Sequence, residues 1–261
     1  MDLHLKDKVF IITGGAKGIG EAIVLALVAE GAIPVILGRS EEASIRLEKK
    51  IKDGGGRCLN VIANLPNPEA CKKTVEEAVE EFGALHGIVN NAGVNDGVSL
   101  ESGSPNAFRE SVTTNLMHYY DLAHYAIPHL RKTKGTILNI SSKTAITGQG
   151  GTSGYAASNG AQLALTREWA NELAQYGIRV NAIVPAEVMT PQYKKWIHSF
   201  ENPEARLRKI ENHIPLENRF TTSDEIASTA VFLLSDRSSH TTGQWLFVDG
   251  GYVHFDRAYE N

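Results

Sequence analysis

A glycine-rich segment near the N-terminus has the residue types that bind a pyrophosphate. Thr13–Gly20 follows a short apolar run, and Gly14, Gly18 and Gly20 stand at the spacing G-x-x-x-G-x-G, with Ile19 between the last two. Glycines allow a tight turn and a close approach of the backbone to phosphate, and the helix that follows offers unpaired N–H groups to the anion. A turn that only lets a helix pack closely on a strand is the alternative. The position directly after a predicted strand favours nucleotide binding.

Two basic side chains lie where they could decide which dinucleotide binds. Arg39 comes at the end of the second predicted strand, where the first acid is Glu41, and Lys17 lies inside the glycine-rich segment. An acidic residue at this strand end would bind the 2′-hydroxyl of NAD, whereas an arginine accommodates the 2′-phosphate of NADP. Solvated surface charges are the alternative explanation for both side chains. The pattern favours NADP, with NAD as the alternative.

Short apolar runs alternate with helical patterns, and these elements must position the two features above. The predicted strands are Val9–Thr13, Ile33–Leu37, Cys58–Ala63, Leu85–Asn90, Thr136–Ile140, Ile178–Val184 and Trp245–Val248. The predicted helices are Gly20–Glu30, Glu41–Asp53, Pro68–Phe82, Ala107–Arg131, Gly154–Tyr176 and Ser223–Leu234. This alternation indicates an α/β fold, a single-domain, Rossmann-like doubly wound parallel sheet with helices on both faces, over residues 1–261. The irregular stretch 185–216 follows a strand and is the predicted substrate lid.

Composition and charge argue against several other classes of protein. The 261 residues carry a formal net charge of −4 with a pI of about 6.1, which argues against a nucleic-acid partner. No apolar run reaches the roughly twenty residues of a membrane-spanning helix, and two cysteines, Cys58 and Cys71, cannot form a disulfide framework. We therefore expect a cytoplasmic protein without a membrane partner. The histidines form no H-E-x-x-H pattern, so no metal site is predicted, and neither a P-loop lysine nor a G-x-S-x-G elbow is present.

Four further segments carry polar side chains that belong together. They are Asn90–Gly93, Asn115, Ser141–Ser142 and Tyr155–Asn159. With the glycine-rich segment, they resemble the short-chain dehydrogenase/reductase family over essentially the whole chain. The resemblance implies an NAD(P)-dependent oxidoreductase whose working set is Asn, Ser, Tyr and Lys. The first three match Asn115, Ser142 and Tyr155, but Asn159 stands where the family has its lysine.

The neutral side chain of Asn159 removes a charge that this chemistry uses. By resemblance, Tyr155 is the general base, Ser142 hydrogen-bonds the reacting oxygen, and Asn115 holds a water for a proton relay. A free tyrosine has a pKa of about 10, so only about one molecule in a thousand is phenolate at pH 7. A lysine at i+4 shares a helix face with the tyrosine and favours the phenolate, whereas Asn159 can only hydrogen-bond the nicotinamide ribose. We therefore predict that this chain folds and binds its ligands but turns over slowly.

The resemblance also assigns residues to the dinucleotide. Asn64 stands where relatives carry an aspartate that touches adenine, and an amide can still make such a bond. Tyr155 and Asn159 would face the nicotinamide ribose. The remaining cofactor-binding positions are Gly14, Lys17, Gly18, Ile19, Gly20, Arg39, Asn91, Ala92, Gly93, Pro185, Val188 and Thr190.

The substrate end of the predicted site is polar. Besides Ser142 and Tyr155, the predicted substrate-binding residues are Asn95, Lys143, Gln149, Glu187 and Trp196. A mixture of donors and acceptors suits a polyhydroxylated ligand, whereas a steroid or acyl chain would need an aliphatic lining. Several of these side chains could instead simply face water.

Within the family, several stretches resemble the bacterial L-fucose dehydrogenases. They are Gly93–Gly97, Ser141–Ala145, Pro185–Pro191 with Trp196, and Trp245–Tyr252. This resemblance implies oxidation of the C1 hydroxyl of L-fucose, or of a related aldose, to the lactone. The alternatives are another short-chain reductase, acting on a 3-oxoacyl thioester, a polyol or a keto-sugar, and a non-catalytic NADP-binding scaffold.

Assembly is a further expectation from the resemblance. Relatives are usually homotetramers, which would bury the two long predicted helices, 107–131 and 154–176, between subunits. The tail 252–261, which contains Phe255 and Tyr259, is expected to pack near a neighbouring subunit's active site.

Overall fold

A seven-stranded parallel sheet forms the centre of the molecule. The computed structural model describes residues 1–255; the tail beyond, including Tyr259, lies outside the described residues. The strand order is β3-β2-β1-β4-β5-β6-β7, and every neighbouring pair is parallel. The strands are β1 (Val9–Thr13), β2 (Ile33–Gly38), β3 (Leu59–Ile62), β4 (Gly87–Asn90), β5 (Thr136–Ile140), β6 (Arg179–Pro185) and β7 (Trp245–Val248).

Nine α-helices lie among the described residues, all of them in the connections between strands. They are α1 (Gly18–Ala29), α2 (Glu41–Asp53), α3 (Pro68–Phe82), α4 (Pro105–Val112), α5 (His118–Thr133), α6 (Ser153–Leu173), α7 (Pro191–Ile197), α8 (Pro203–Glu211) and α9 (Ser223–Leu234). The doubly wound parallel sheet predicted from the sequence is confirmed, with element boundaries shifted by a few residues. None of the described helices combines the length and apolarity needed to cross a bilayer.

The central strands are apolar throughout because both faces of the sheet are covered. Along β1, Phe10 and Ile12 pack into a core shared with α1, α2 and α9, whereas Val9 and Ile11 pack into a second core under α3, α5 and α6. Successive strand residues point to opposite faces, so a strand buried on both sides needs a continuous apolar run. Helices on both faces leave the two ends of the sheet as the places where a ligand can bind.

The long helix predicted over 107–131 is wrong as a single helix. The structure has α4, then a π-helical turn over Thr113–Met117, then α5. Asn115, in this turn, donates its side-chain Nδ2 to the carbonyl of Ser111 at 3.0 Å, which is the carbonyl that an α-helical N–H of residue 115 would use. Its Oδ1 accepts from the backbone N–H of Val94 at 2.7 Å. The side chain thus replaces a helical bond and ties the turn to the loop after β4.

The order of strands changes direction beside β1. The chain first builds outward through β2 and β3, then returns to place β4 on the other side of β1. In open α/β sheets, ligands bind outside the carboxyl ends of the strands at this switch point. The segment 185–216, which includes α7 and α8, follows β6 at the same end of the sheet.

Candidate active site

One cleft at the carboxyl ends of the strands contains nearly all of the residues singled out from the sequence. It has a volume of about 870 Å³. Gly20 is the predicted site residue that does not line it. The predicted residues that do are Gly14, Lys17, Gly18, Ile19, Arg39, Asn64, Asn91, Ala92, Gly93, Asn95, Asn115, Ser142, Lys143, Gln149, Tyr155, Asn159, Pro185, Glu187, Val188, Thr190 and Trp196.

The glycine-rich segment forms a cradle at the N-terminus of α1. Gly14 has φ +64°, and a Cβ there would lie 3.1 Å from Nδ2 of Asn91. Gly20 lies behind the cleft and serves packing, because a Cβ on it would lie 2.3 Å from the carbonyl oxygen of Gly14. No side chain of the described residues caps this helix, so its first N–H groups are left for an anion. The cradle therefore fits the pyrophosphate of a dinucleotide, and Lys17 adds a positive charge beside it.

The second glycine of the cradle lies close to the start of α7. Gly18 has φ +58°, and a Cβ there would lie 3.4 Å from Cβ of Thr190 and 3.6 Å from Cδ of Pro191. Thr190 caps α7, accepting from the N–H of Tyr193 at 3.2 Å. The phosphate loop and the start of α7 are therefore separated at this point by about the space of one methyl group.

Two exposed cations stand in the loops that follow β1 and β2. Lys17 and Arg39 both line it, and neither forms an ion pair with a carboxylate in residues 1–255. Asn64 lines the same part of the cleft from the end of β3. Unpaired cations on two neighbouring loops suit a phosphate group, since arginine binds it through two parallel N–H bonds.

The hydroxyl of Thr13 shapes the loop that follows β4, a role that the sequence did not reveal. It accepts from the N–H groups of Asn91 and Ala92 at 2.8 and 2.9 Å. The side chain of Asn91 donates to the carbonyl of Thr13 at 2.9 Å. A threonine as the last residue of a buried strand, just before the glycines, was the available signal. These three bonds hold the loop 91–93 against the dinucleotide cradle.

Asn115 is engaged on all sides by the protein. It is 1% exposed, and both ends of its side chain are used by Ser111 and Val94. The backbone carbonyl oxygen of Asn115 accepts a hydrogen bond from Nε2 of Gln162 at 2.9 Å. Gln162, a buried residue of α6 that the sequence analysis did not single out, also lines the cleft. Asn115 therefore braces this wall of the cleft.

Tyr155 lies on α6 with its hydroxyl near Ser142 and Asn159. Burial raises the pKa of Tyr155 above its usual value, and the hydrogen bonds from Ser142 and Asn159 oppose this by less. Nδ2 of Asn159 donates at 2.8 Å to the carbonyl of Tyr155, one helical turn earlier. Among the described residues, none of the groups that shift this pKa carries a positive charge. The surroundings of Tyr155 therefore favour the neutral phenol.

A buried ion pair lines the cleft, and its lysine follows Ser142 in sequence. Lys143 and Glu187, each 8% exposed, form a salt bridge across 44 residues of sequence. The ammonium of Lys143 also lies 3.9 Å from the ring centroid of Tyr252. Asn95, Gln149 and Trp196 reach the cleft from exposed positions at its rim. A buried charge pair that opens into a cleft gives this end both donors and acceptors.

Comparison with known proteins agrees with this arrangement. The protein family described as enoyl-(acyl carrier protein) reductase matches residues 14–253. The chain is 34% identical over 252 residues to a 3-oxoacyl-[acyl-carrier-protein] reductase of Thermotoga maritima, covering 96% of this chain and 100% of the relative. The chain belongs to the short-chain dehydrogenase/reductase family. It is thus an NAD(P)-dependent oxidoreductase.

Two further similar proteins are named as dehydrogenases. The L-fucose dehydrogenase of Bos taurus is 36% identical over 252 residues, which cover 96% of this chain and 91% of the relative. The solved structure of a protein named Cj0485 dehydrogenase superposes with a TM-score of 0.94 at 49% identity, and covers 100% of this chain and 99% of that one. Family membership thus extends over nearly the full length of both.

Proposed function

We propose that this protein oxidises the C1 hydroxyl of L-fucose, or of a related aldose, to the lactone with NADP as hydride acceptor. The observation that carries the proposal is the buried Lys143–Glu187 pair beside Ser142, in the same cleft as Tyr155. An acyl chain would have to cover these charges without hydrogen-bonding them, at a considerable desolvation cost. The similarity to an L-fucose dehydrogenase supports the same substrate class.

The residues of the cleft divide the proton chemistry among them. In our proposal Tyr155, as phenolate, takes the proton of the C1 hydroxyl, and Ser142 donates a hydrogen bond to the same oxygen. The nicotinamide ring, when bound, supplies the acceptor for the hydride that leaves C1. Glu187, Asn95 and Gln149 orient the sugar ring from the other side. Asn159 supplies no charge to the phenolate, and turnover is therefore slow.

The choice of NADP rests on Lys17 and Arg39. Both line the adenosine end and both lack carboxylate partners in the described part of the chain. Glu41, the first acid after Arg39, begins α2 and does not line the cleft. An exposed guanidinium without an acidic neighbour accommodates a 2′-phosphate better than a 2′-hydroxyl.

The proposal extends to the assembly of the protein. We propose one domain over the whole chain, with 185–216 as the lid of the cleft, and a homotetramer built on α4, α5 and α6. Phe108, Met117 and Tyr120 are exposed large apolar residues on α4 and α5 and in the turn between them. Such side chains suit an interface between identical subunits.

A substrate panel tests the proposed function. We expect NADP⁺ reduction with L-fucose, L-galactose and D-arabinose. We expect none with a 3-hydroxyacyl thioester, whose oxidation is the reverse of the reaction named for the Thermotoga maritima relative. The same rates measured with NAD⁺ in place of NADP⁺ test which dinucleotide the protein prefers. Oxidation of the thioester instead of the sugars would transfer the function to that class. Dinucleotide binding without turnover of any substrate, even in the Asn159→Lys variant, would indicate a non-catalytic scaffold.

A further inference from the structure

The helix α7 presents a large aromatic side chain to the cleft. Trp196 lines the cleft and is 39% exposed, so a ligand in the cleft can reach its ring. Apolar surface that water covers in the free protein favours binding when an apolar group of the ligand replaces that water. The indole is therefore a candidate contact for an apolar part of the substrate.

Aromatic neighbours hold the indole in place before a ligand arrives. Tyr193, which also lines the cleft, packs edge-on against Trp196 with 5.1 Å between ring centroids, and Phe200 does so at 5.0 Å. Tyr193 packs in turn on Phe220 at 5.2 Å. A ring restrained from two sides loses little conformational freedom when a ligand binds. It can therefore discriminate between ligands that differ by one small group.

Helix α8 adds a second apolar side chain beside the indole. Arg206 and Ile210, one helical turn apart on α8, both line the cleft. The Cζ atom of Arg206 lies 5.0 Å from the ring centroid of Phe200 and 6.0 Å from that of Trp196. The cleft-facing side of α8 is thus next to α7, and the half-buried Ile210 lies on that side. The aromatic rings engage the charge of Arg206, which leaves Trp196 and Ile210 as the apolar groups of this region.

A polar region borders this apolar one. The buried Lys143–Glu187 ion pair lines the same cleft. Tyr193 lies between the two regions, because it packs on Trp196 and because burial and the carboxylate of Glu187 raise its pKa. An aldose with its hydroxyl groups at the ion pair therefore has apolar surface about one aromatic ring away.

We propose that the methyl group at C5 of L-fucose packs on Trp196 and Ile210, so that these two residues select 6-deoxy aldoses. The methyl group is the apolar substituent of that ring, whereas C1 to C4 each carry a hydroxyl. A hydrogen at C5 would leave the indole exposed to water, and a hydroxymethyl group would have to lose water from its hydroxyl. The inference rests on the proposed function and adds to it the part of the substrate that the lid contacts.

Three aldoses that share one configuration at C2, C3 and C4 test this contact. L-Fucose, D-arabinose and L-galactose carry a methyl group, a hydrogen and a hydroxymethyl group at C5 of the pyranose ring. Their dissociation constants are measured by calorimetry for the NADPH complex, which has no hydride acceptor and therefore cannot oxidise them. We expect L-fucose to bind about 10-fold more tightly than either of the other two. Trp196→Ala should remove this difference by weakening L-fucose about 10-fold and D-arabinose by less than about 2-fold.

Further variants separate this contact from a general disturbance of the lid. Ile210→Ala should also reduce the preference for L-fucose, and Trp196→Leu, which keeps an apolar side chain, should retain part of it. Phe232→Ala is the matched control, because Phe232 is also 39% exposed but lies on α9, outside the cleft. It should leave all three dissociation constants unchanged.

Each outcome decides one question. Equal affinities of the natural chain for the three aldoses, or tighter binding of L-galactose, would overturn the methyl contact and leave the sugar proposal intact. An equal loss for all three in Trp196→Ala would also overturn it, because such a loss has no single substituent as its cause. If the aldoses bind in the expected order but are oxidised neither by the natural chain nor by Asn159→Lys, the proposed function fails and the contact stands. If none of the three binds, both fail.

Discussion

Replacement of Asn159 by lysine should accelerate turnover by restoring a charge beside Tyr155. Asn159 is 2% exposed and lies one helical turn after the tyrosine, with its amide turned back to the carbonyl of Tyr155. Residues at i and i+4 have Cβ atoms about 5–6 Å apart, so a lysine ammonium could lie roughly 5 Å from the phenol. Burial already raises the pKa of Tyr155, and the added charge would lower it.

The expected gain follows from the Coulomb energy of this charge. At an effective dielectric constant of about 20 and a separation of about 5 Å, two unit charges interact by about 3.3 kcal/mol. This corresponds to a fall of about 2.4 units in the pKa of Tyr155, or about 250 times more phenolate at neutral pH. A weaker base accepts a proton less readily, which reduces the gain in rate. We therefore expect kcat to rise between about 10-fold and 250-fold at pH 7.

The assay is the initial rate of NADP⁺ reduction with L-fucose from pH 6 to pH 11. The rate should rise with pH as Tyr155 ionises, and Asn159→Lys should move that rise to lower pH by about 2 units. Asn159→Met, which has similar length but neither a charge nor a hydrogen-bond donor, is the matched control and should not move the rise to lower pH, since it also loses the hydrogen bond that lowers the pKa of Tyr155. A Lys variant that folds and binds NADP⁺ but shows neither a faster rate nor a shifted profile would refute the electrostatic reasoning. So would an equal gain in the Met variant.

Three further changes test the dinucleotide cradle and the stability of the fold. Gly20→Ala forces a Cβ against the carbonyl of Gly14, so it should cost about 1–3 kcal/mol in thermal unfolding and weaken NADP⁺ binding; unchanged values would mean that the loop can yield. Arg39→Asp should weaken NADP⁺ by about 10- to 100-fold in calorimetry without weakening NAD⁺, and equal losses for both would contradict our choice of cofactor. Arg219 is the largest cause that lowers the pKa of Glu225, to about 2, so the stabilisation from this carboxylate is present at neutral pH and disappears as pH falls from about 4.5 towards 2. Glu225→Gln should therefore cost about 0.5–1 kcal/mol at pH 7 in urea unfolding and nothing near pH 2, and a cost that is the same at both pH values would exclude this linkage.

The sheet was predictable because a strand that is buried on both faces appears in the sequence as a continuous apolar run. Val9–Thr13 and Thr136–Ile140 are buried on both faces, so their apolar runs have the same bounds in the sequence and in the structure. The π-helical turn was not predictable, because it depends on a bond from Val94 to Asn115, two residues far apart in sequence. Local periodicity cannot report a bond of this kind.

The candidate site was predictable in composition but only partly in arrangement. The sequence marked Lys143 and Glu187 as polar residues near the substrate, yet their pairing arises because β5 and β6 are neighbours in the sheet. Tyr193 was missed because it lies in the least regular stretch of the chain, where the sequence defines neither a face nor a direction. In the sequence Gln162 is one of several polar residues of a helix, and only the structure shows that it donates to the backbone carbonyl of Asn115.

The closeness of Gly18 to Thr190 suggests a thermodynamic link between the two proposed ligands of the cleft. Only about one methyl group would fit between Gly18 and Thr190, and α7, which Thr190 caps, carries Trp196, a residue proposed to bind the sugar. If the proposed lid closes over a bound sugar, it also approaches the phosphate loop, so we expect each ligand to strengthen the binding of the other. The factor by which NADP⁺ tightens the sugar must equal the factor by which the sugar tightens NADP⁺. Two binding titrations, each with and without the other ligand, give that factor twice over.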